Sequence, residues 1–142
     1  MRLFLDSSVV LAACGRPTGA SRRVIDLAPT MGWTLLTTAY VVAEVERNLA
    51  ARLPAAARRE WRRLRPGLER VPDVLTIDRP ALFTSGKDRP VLFTAAAFSD
   101  ALLTLDRADF GALMASGFYG LPVLTPGAFL ARERDAGRLG DV

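Results

Sequence analysis

The stretch RLFLDSSVVLAAC (2–14) decides how this chain is read. Its opening, RLFLD (2–6), is a compact apolar run closed by an acid, with no alternation of polar and apolar positions. Strands covered on both faces read this way, as they do in parallel sheets. The residues that follow, SSVVLAAC, read as a short helix with Ser7 or Ser8 as its N-cap. The same stretch could pass for a short signal peptide. Asp6 interrupts it, and the pattern continues into a helix, so it is read as the first strand of the fold.

Working outward, the same grammar repeats. Ser21 to about Ala28 reads as a helix ending before Pro29, and WTLLTT (33–38) as the second strand, with Trp33 in the core. Ala39 to Leu53 reads as a helix with Val41, Val42, Val45, Leu49 and Leu53 on one face. Pro54 starts another helix, Ala55 to about Leu64, which Pro66-Gly67 stops. VLTID (74–78) reads as the third strand, and Arg79 to Lys87 as a loop. Pro90 to Phe98 reads as a helix. ALLTLD (101–106) is a second apolar run closed by an acid, followed by a helix from Asp109 to about Ser116. LPVLTP (121–126) and Gly127 to about Asp135 give a last strand and helix. Strands alternating with helices predict an α/β chain, a three-layer α/β/α sandwich with a mostly parallel central sheet. With 142 residues and no repeat or long linker, one domain over 1–142 is expected.

Composition narrows the chemistry. There is no histidine, which excludes Ser-His and Cys-His nucleophiles and histidine-ligated metals within the chain. The one cysteine, Cys14, forms no disulfide framework and reads as a small buried hydrophobe; the cytoplasm is the expected compartment. No apolar run approaches the ~20 residues of a membrane span. Acid–base or metal chemistry therefore falls to carboxylates. Asp6 and Asp106 close equivalent strands, and in open parallel sheets sites form at the carboxyl ends of strands. Each acid alone reads as a helix cap or turn residue. Together, in a chain without histidine, they point to an oxygen-ligand site for Mg²⁺ or Mn²⁺.

The charge is just as uneven. Of 19 basic residues 18 are arginine, and Lys87 is the only lysine. Seven arginines and two glutamates fall between Arg52 and Arg70, so that segment carries +5 and the remainder −1 of the net +4. Arg58, Arg62 and Arg65 share a helix face and could contact phosphates, with Trp61 either stacking on a base or buried beneath them.

Four blocks in order give the chain a family resemblance: RLFLDSSVV (2–10), TAYVVAEVERNL (38–49), KDRPVLFTAAAFSD (87–100), and ALLTLDRADFG (101–111) with LPVLTPGAFL (121–130). The chain resembles the PIN-domain nucleases, including the toxin halves of VapBC-type toxin–antitoxin pairs. The resemblance implies a PIN-like fold, with Asp6, Glu44, Asp88 and Asp106 as catalytic and metal-binding acids. It adds Asp109 as a further metal-binding acid. Ser7 would steady the site through its hydroxyl, and Thr104 would support it. On a helix Glu44 and Glu46 lie roughly 200° apart, so only one can face the pocket, and periodicity does not choose. Asp88 competes with Asp78 and Asp100 and can also serve as an N-cap; Asp109 is either a site residue or an N-cap. The implied activity is metal-dependent hydrolysis of RNA phosphodiesters. A divalent ion would offset the repulsion among the acids, polarise a phosphoryl oxygen and ready a water for in-line attack. The implied partners are an RNA substrate, an antitoxin protein and a second copy of the chain. The alternative class is a non-catalytic PIN-like module that binds RNA or protein. A receiver would need an acid pair at the first strand and a lysine near the last. A haloacid-dehalogenase-type phosphatase would need an acid where Ser8 stands.

Overall fold

The computed structural model describes residues 1–140. Five strands, β1 (Arg2–Leu5), β2 (Thr34–Thr37), β3 (Leu68–Arg70), β4 (Ala101–Leu103) and β5 (Val123–Leu124), form one sheet in the order β3-β2-β1-β4-β5. Every neighbouring pair is parallel. Seven α-helices connect and close it: α1 (Ser7–Gly15), α2 (Ala20–Met31), α3 (Ala39–Arg52), α4 (Ala55–Leu64), α5 (Arg89–Phe98), α6 (Arg107–Ser116) and α7 (Pro126–Asp135). Parallel neighbours require crossovers, and crossovers are right-handed. The chain moves one way from β1 to β3 and the other way from β4 to β5, so α1 to α4 cover one face and α5 and α6 the other. α7 packs on α2. This is the expected α/β/α sandwich.

The strands are buried as their composition demands. Leu3, Phe4 and Leu5 of β1 and Leu102 and Leu103 of β4 are wholly inaccessible to solvent. Trp33 and Cys14 are buried too, and Trp33 packs edge-on against Phe129. The order of the sheet reverses direction between β1 and β4, and the crevice outside their carboxyl ends is where such sheets place sites.

Four local expectations are corrected. The stretch 74–78 is not a strand. The third strand is Leu68–Arg70, a short edge strand with a single buried residue, which no periodicity could reveal. Residues 74–78 instead lie against α5, where the Val74 N–H donates to Thr94 Oγ1 rather than to a ladder. Pro29 does not end α2: it sits exposed in the last turn, and Gly32, in the left-handed region at φ 69°, closes the helix three residues later. A proline there forfeits one backbone bond and meets no packed neighbour. The N-cap of α1 is Asp6, not Ser7 or Ser8. Asp106, not Asp109, caps α6.

Candidate metal centre

Strand ends and helix starts build the site together. Asp6 leaves β1 extended, and its carboxylate accepts from the Ser7 N–H at 2.9 Å. Its second oxygen, Oδ2, accepts from the hydroxyls of Ser8 and Thr104, each at 2.8 Å. Those hydroxyls are themselves held, since Leu105 N–H donates to Ser8 Oγ and Asp106 N–H to Thr104 Oγ1. Thr104 is completely buried one residue past β4, so a single hydroxyl ties the ends of the two central strands. Burial pushes the Asp6 carboxyl above its ordinary range, the two hydroxyls oppose this, and the charge of Glu44 adds to the rise.

Asp106 follows β4 by three residues and caps α6: its Oδ1 accepts from the Asp109 N–H at 3.0 Å. Asp109 is thus a third residue of α6, one turn along, facing back toward the cap. Asp88 arrives from the other side, at the end of a 3₁₀ turn (Gly86–Asp88) that runs into α5. It occupies the cap position of α5, yet its side chain does not cap. Ser85 Oγ donates to its Oδ2 at 2.6 Å instead, and its carboxylate points into the crevice. Carboxylate oxygens of Asp88, Asp106 and Asp109 all lie within 4.8 Å of one another.

Three acids this close disturb one another. Desolvation raises Asp88 to about 6; Ser85 and Lys87 oppose the rise, while Asp109 and Asp6 add to it. Asp109 is held below its ordinary value, first by its hydrogen bond with Asp88 and then by Lys87. As the pH falls, the first proton taken by this pair goes to the more buried Asp88. Lys87 is the only positive side chain within ion-pair distance of the cluster among the described residues. Its Nζ lies 3.3 Å from Asp109 Oδ2 and 3.8 Å from Asp88 Oδ2.

The two candidate glutamates part company. Glu44, half-buried on α3, is near enough for its charge to raise both Asp6 and Tyr40. Glu46 is drawn the other way, into a 3.0 Å ion pair with Arg65. Asp100 accepts from the Arg2 N–H at the opposite edge of the sheet, and Asp78 is almost fully exposed beside Arg79, so neither enters the cluster. Ser7 contributes its backbone N–H; the hydroxyl on Asp6 belongs to Ser8. Three further participants were not anticipated. Ser85 holds Asp88, Tyr40 Oη donates to the Lys87 carbonyl, and Lys87 carries the cation. The one sequence signal for Lys87 was its being the sole lysine, directly before an acid.

The arginine helix is a separate region. Trp61 is buried, with the Arg65 guanidinium 5.8 Å above its ring, so it is not a free stacking platform. Arg58, Arg62 and Arg65 line a groove of about 260 Å³ between α3 and α4 with Glu46 and Trp61. Arg65 is held by Glu46, whereas Arg58 and Arg62 are exposed and form no ion pair with a described residue. A larger cavity, about 560 Å³, opens near the residues that lead into β4 and β5; Val74, Ile77, Phe93, Phe118 and Leu121 line it, and no acid of the cluster does.

Among solved structures, the chain is similar in arrangement to the crystal structure of VapC20 from Mycobacterium tuberculosis, a sarcin-ricin loop cleaving toxin. The TM-score is 0.47 at 18% identity, covering 84% of this chain and 98% of that one. No family model and no curated protein matches the sequence.

Hard carboxylate oxygens are the donors that Mg²⁺ and Mn²⁺ take, and three of them close together on rigid helix starts suit one such ion. The donor set fits a divalent cation and offers nothing to a soft metal.

Proposed function

We propose that this chain is a divalent-metal-dependent ribonuclease of the PIN-domain kind, cleaving RNA phosphodiester bonds at the carboxylate cluster. One observation carries the reading: Asp88, Asp106 and Asp109 converge within 4.8 Å at the carboxyl ends of the central strands, beside a buried Asp6. Acids gathered this closely repel one another and lose solvation, and among the described residues one exposed lysine is the only cation that reaches them. A bound Mg²⁺ or Mn²⁺ would supply positive charge for a phosphoryl oxygen and make water a better nucleophile.

The side chains do the rest. Asp106 and Asp109 present carboxylates from the first turn of α6, oriented by the cap bond between them. Asp88 presents a third from the opposite wall, with Ser85 fixing its direction. Asp6 anchors the floor through Thr104 and Ser8, and Glu44 adds negative charge from α3. With no histidine present, proton transfers fall to water and to these carboxylates. Arg58 and Arg62 would take RNA phosphates outside the crevice. The proposal includes the role of toxin in a type II toxin–antitoxin pair, with an antitoxin and a second copy of the chain as partners, acting in the cytoplasm.

The test is cleavage of labelled single-stranded RNA by the purified chain. Activity is expected with Mg²⁺ or Mn²⁺, and chelation with EDTA should remove it. Asp6→Asn should lower it by about a hundredfold or more, with unchanged circular dichroism. Cleavage that survives both EDTA and Asp6→Asn would sink the reading.

A further inference from the structure

The cluster already contains a cation of its own. Lys87 is the only lysine in a chain that otherwise uses arginine eighteen times. An ammonium is a compact point charge, closer to a metal ion in shape than a planar guanidinium is. This one sits 3.3 Å from Asp109 Oδ2 and 3.8 Å from Asp88 Oδ2, and so engages two of the three clustered acids. Its backbone is fixed. Lys87 lies in the 3₁₀ turn between Gly86 and Asp88, and Tyr40 Oη donates to its carbonyl from α3. The side chain itself is mostly exposed, so it reaches the acids from the solvent side as an ion would.

Two-metal phosphodiesterases hold their ions about 4 Å apart on shared carboxylates. In this pocket the ammonium faces Asp88 Oδ2 and Asp109 Oδ2, two clustered carboxylate oxygens of the kind that paired ions could share. We propose that Lys87 is the built-in second cation of the site: its ammonium holds the place between Asp88 and Asp109, so the pocket takes one divalent ion instead of two. The inference rests on the metal-dependent reading above and adds to it a fixed stoichiometry and a residue that sets it. Lys87 acts here as a positioning residue. The folded core does not need its side chain, so variants at this position should fold.

The test counts ions directly. Mn²⁺ is titrated into the metal-free chain while the paramagnetic resonance signal of free Mn²⁺ is followed, for the wild type and for Lys87→Met, Lys87→Gln and Lys87→Arg. The expected result is one bound Mn²⁺ in the wild type and in Lys87→Arg, which keeps the charge, and two in Lys87→Met and Lys87→Gln. Two ions in the wild type, one in the neutral variants or two in Lys87→Arg would overturn the role of Lys87 while leaving the metal site standing. A wild type that binds no Mn²⁺ at millimolar concentration would overturn both.

Discussion

The acid cluster and the arginine-rich helix α4 treat charge in opposite ways. On and around α4 the fold pairs what it can: Glu60 accepts from both Arg22 and Arg63, and Glu46 holds Arg65. At the carboxyl edge of the sheet, among the described residues, no arginine reaches Asp6, Glu44, Asp88, Asp106 or Asp109, although the chain has 18 to spend. Hydroxyls, backbone N–H groups and one lysine are all that the cluster receives. The contrast shows where positive charge from outside would be bound. A paired surface is balanced within the chain, whereas an acid pocket served by hydroxyls, N–H groups and one lysine keeps a net negative charge.

The comparison can be broken most strongly at Thr104. Thr104→Val keeps the shape and removes the hydroxyl that joins Asp6 to Asp106. RNA cleavage should fall by about tenfold to a hundredfold, the usual cost of losing a group that orients metal ligands. Wild-type rates in Thr104→Val would mean that Asp6 needs no such support. Next comes the other region. Replacing Arg58 and Arg62 together by Ala should weaken single-stranded RNA several-fold, and should lower the slope of log affinity against log salt by about 1.4. An unaltered slope would assign that face of α4 to a role other than phosphate contact.

The smallest effect sharpens the contrast through stability. The Asp88 carboxyl has its pKa raised by folding, from 3.8 to about 6. The folded chain therefore binds more protons than the unfolded one between those values, and stability contributed by this group falls as pH rises through that window. Above pH 6 the full penalty remains. Asp88→Asn should remove it and raise the unfolding free energy at pH 8 without metal. Urea titrations at pH 4 and pH 8 would show it; equal wild-type and variant midpoints at pH 8 would contradict the buried-charge account. The same variant should be inactive, gaining stability where the pocket loses an acid.

Much of this was legible in advance because it depends on chain-local chemistry. Buried parallel strands advertise themselves as apolar runs, so β1, β2 and β4 were readable, and so were the acids that end β1 and follow β4. The edge strand Leu68–Arg70 was not, because one buried leucine carries no period. VLTID took its place in the reading, since an apolar run against a helix looks the same in sequence as one in a ladder. Glu44 and Glu46 could not be separated by periodicity, because both flank the apolar stripe of α3. Only the position of Arg65, 19 residues away, draws Glu46 aside. Of the two alternatives for Asp109, the structure places it in the cluster and not at the cap, its N–H donating to Asp106.

The segment between β3 and α5 has one more consequence. It is fastened by the Asp73 carboxylate on Tyr40 N–H, by Val74 on Thr94, and by Tyr119 Oη on the Pro80 carbonyl, and none of these bonds belongs to the sheet. Between Pro80 and the buried Phe83, whose carbonyl accepts from the Arg89 guanidinium, Leu82 stands 99% exposed. A protease would find its first foothold there. A single cut would leave every strand paired and would sever the covalent path between Glu44 on one fragment and Asp88 on the other. The carboxylate pocket would then be held together by noncovalent contacts alone, across two fragments of one fold.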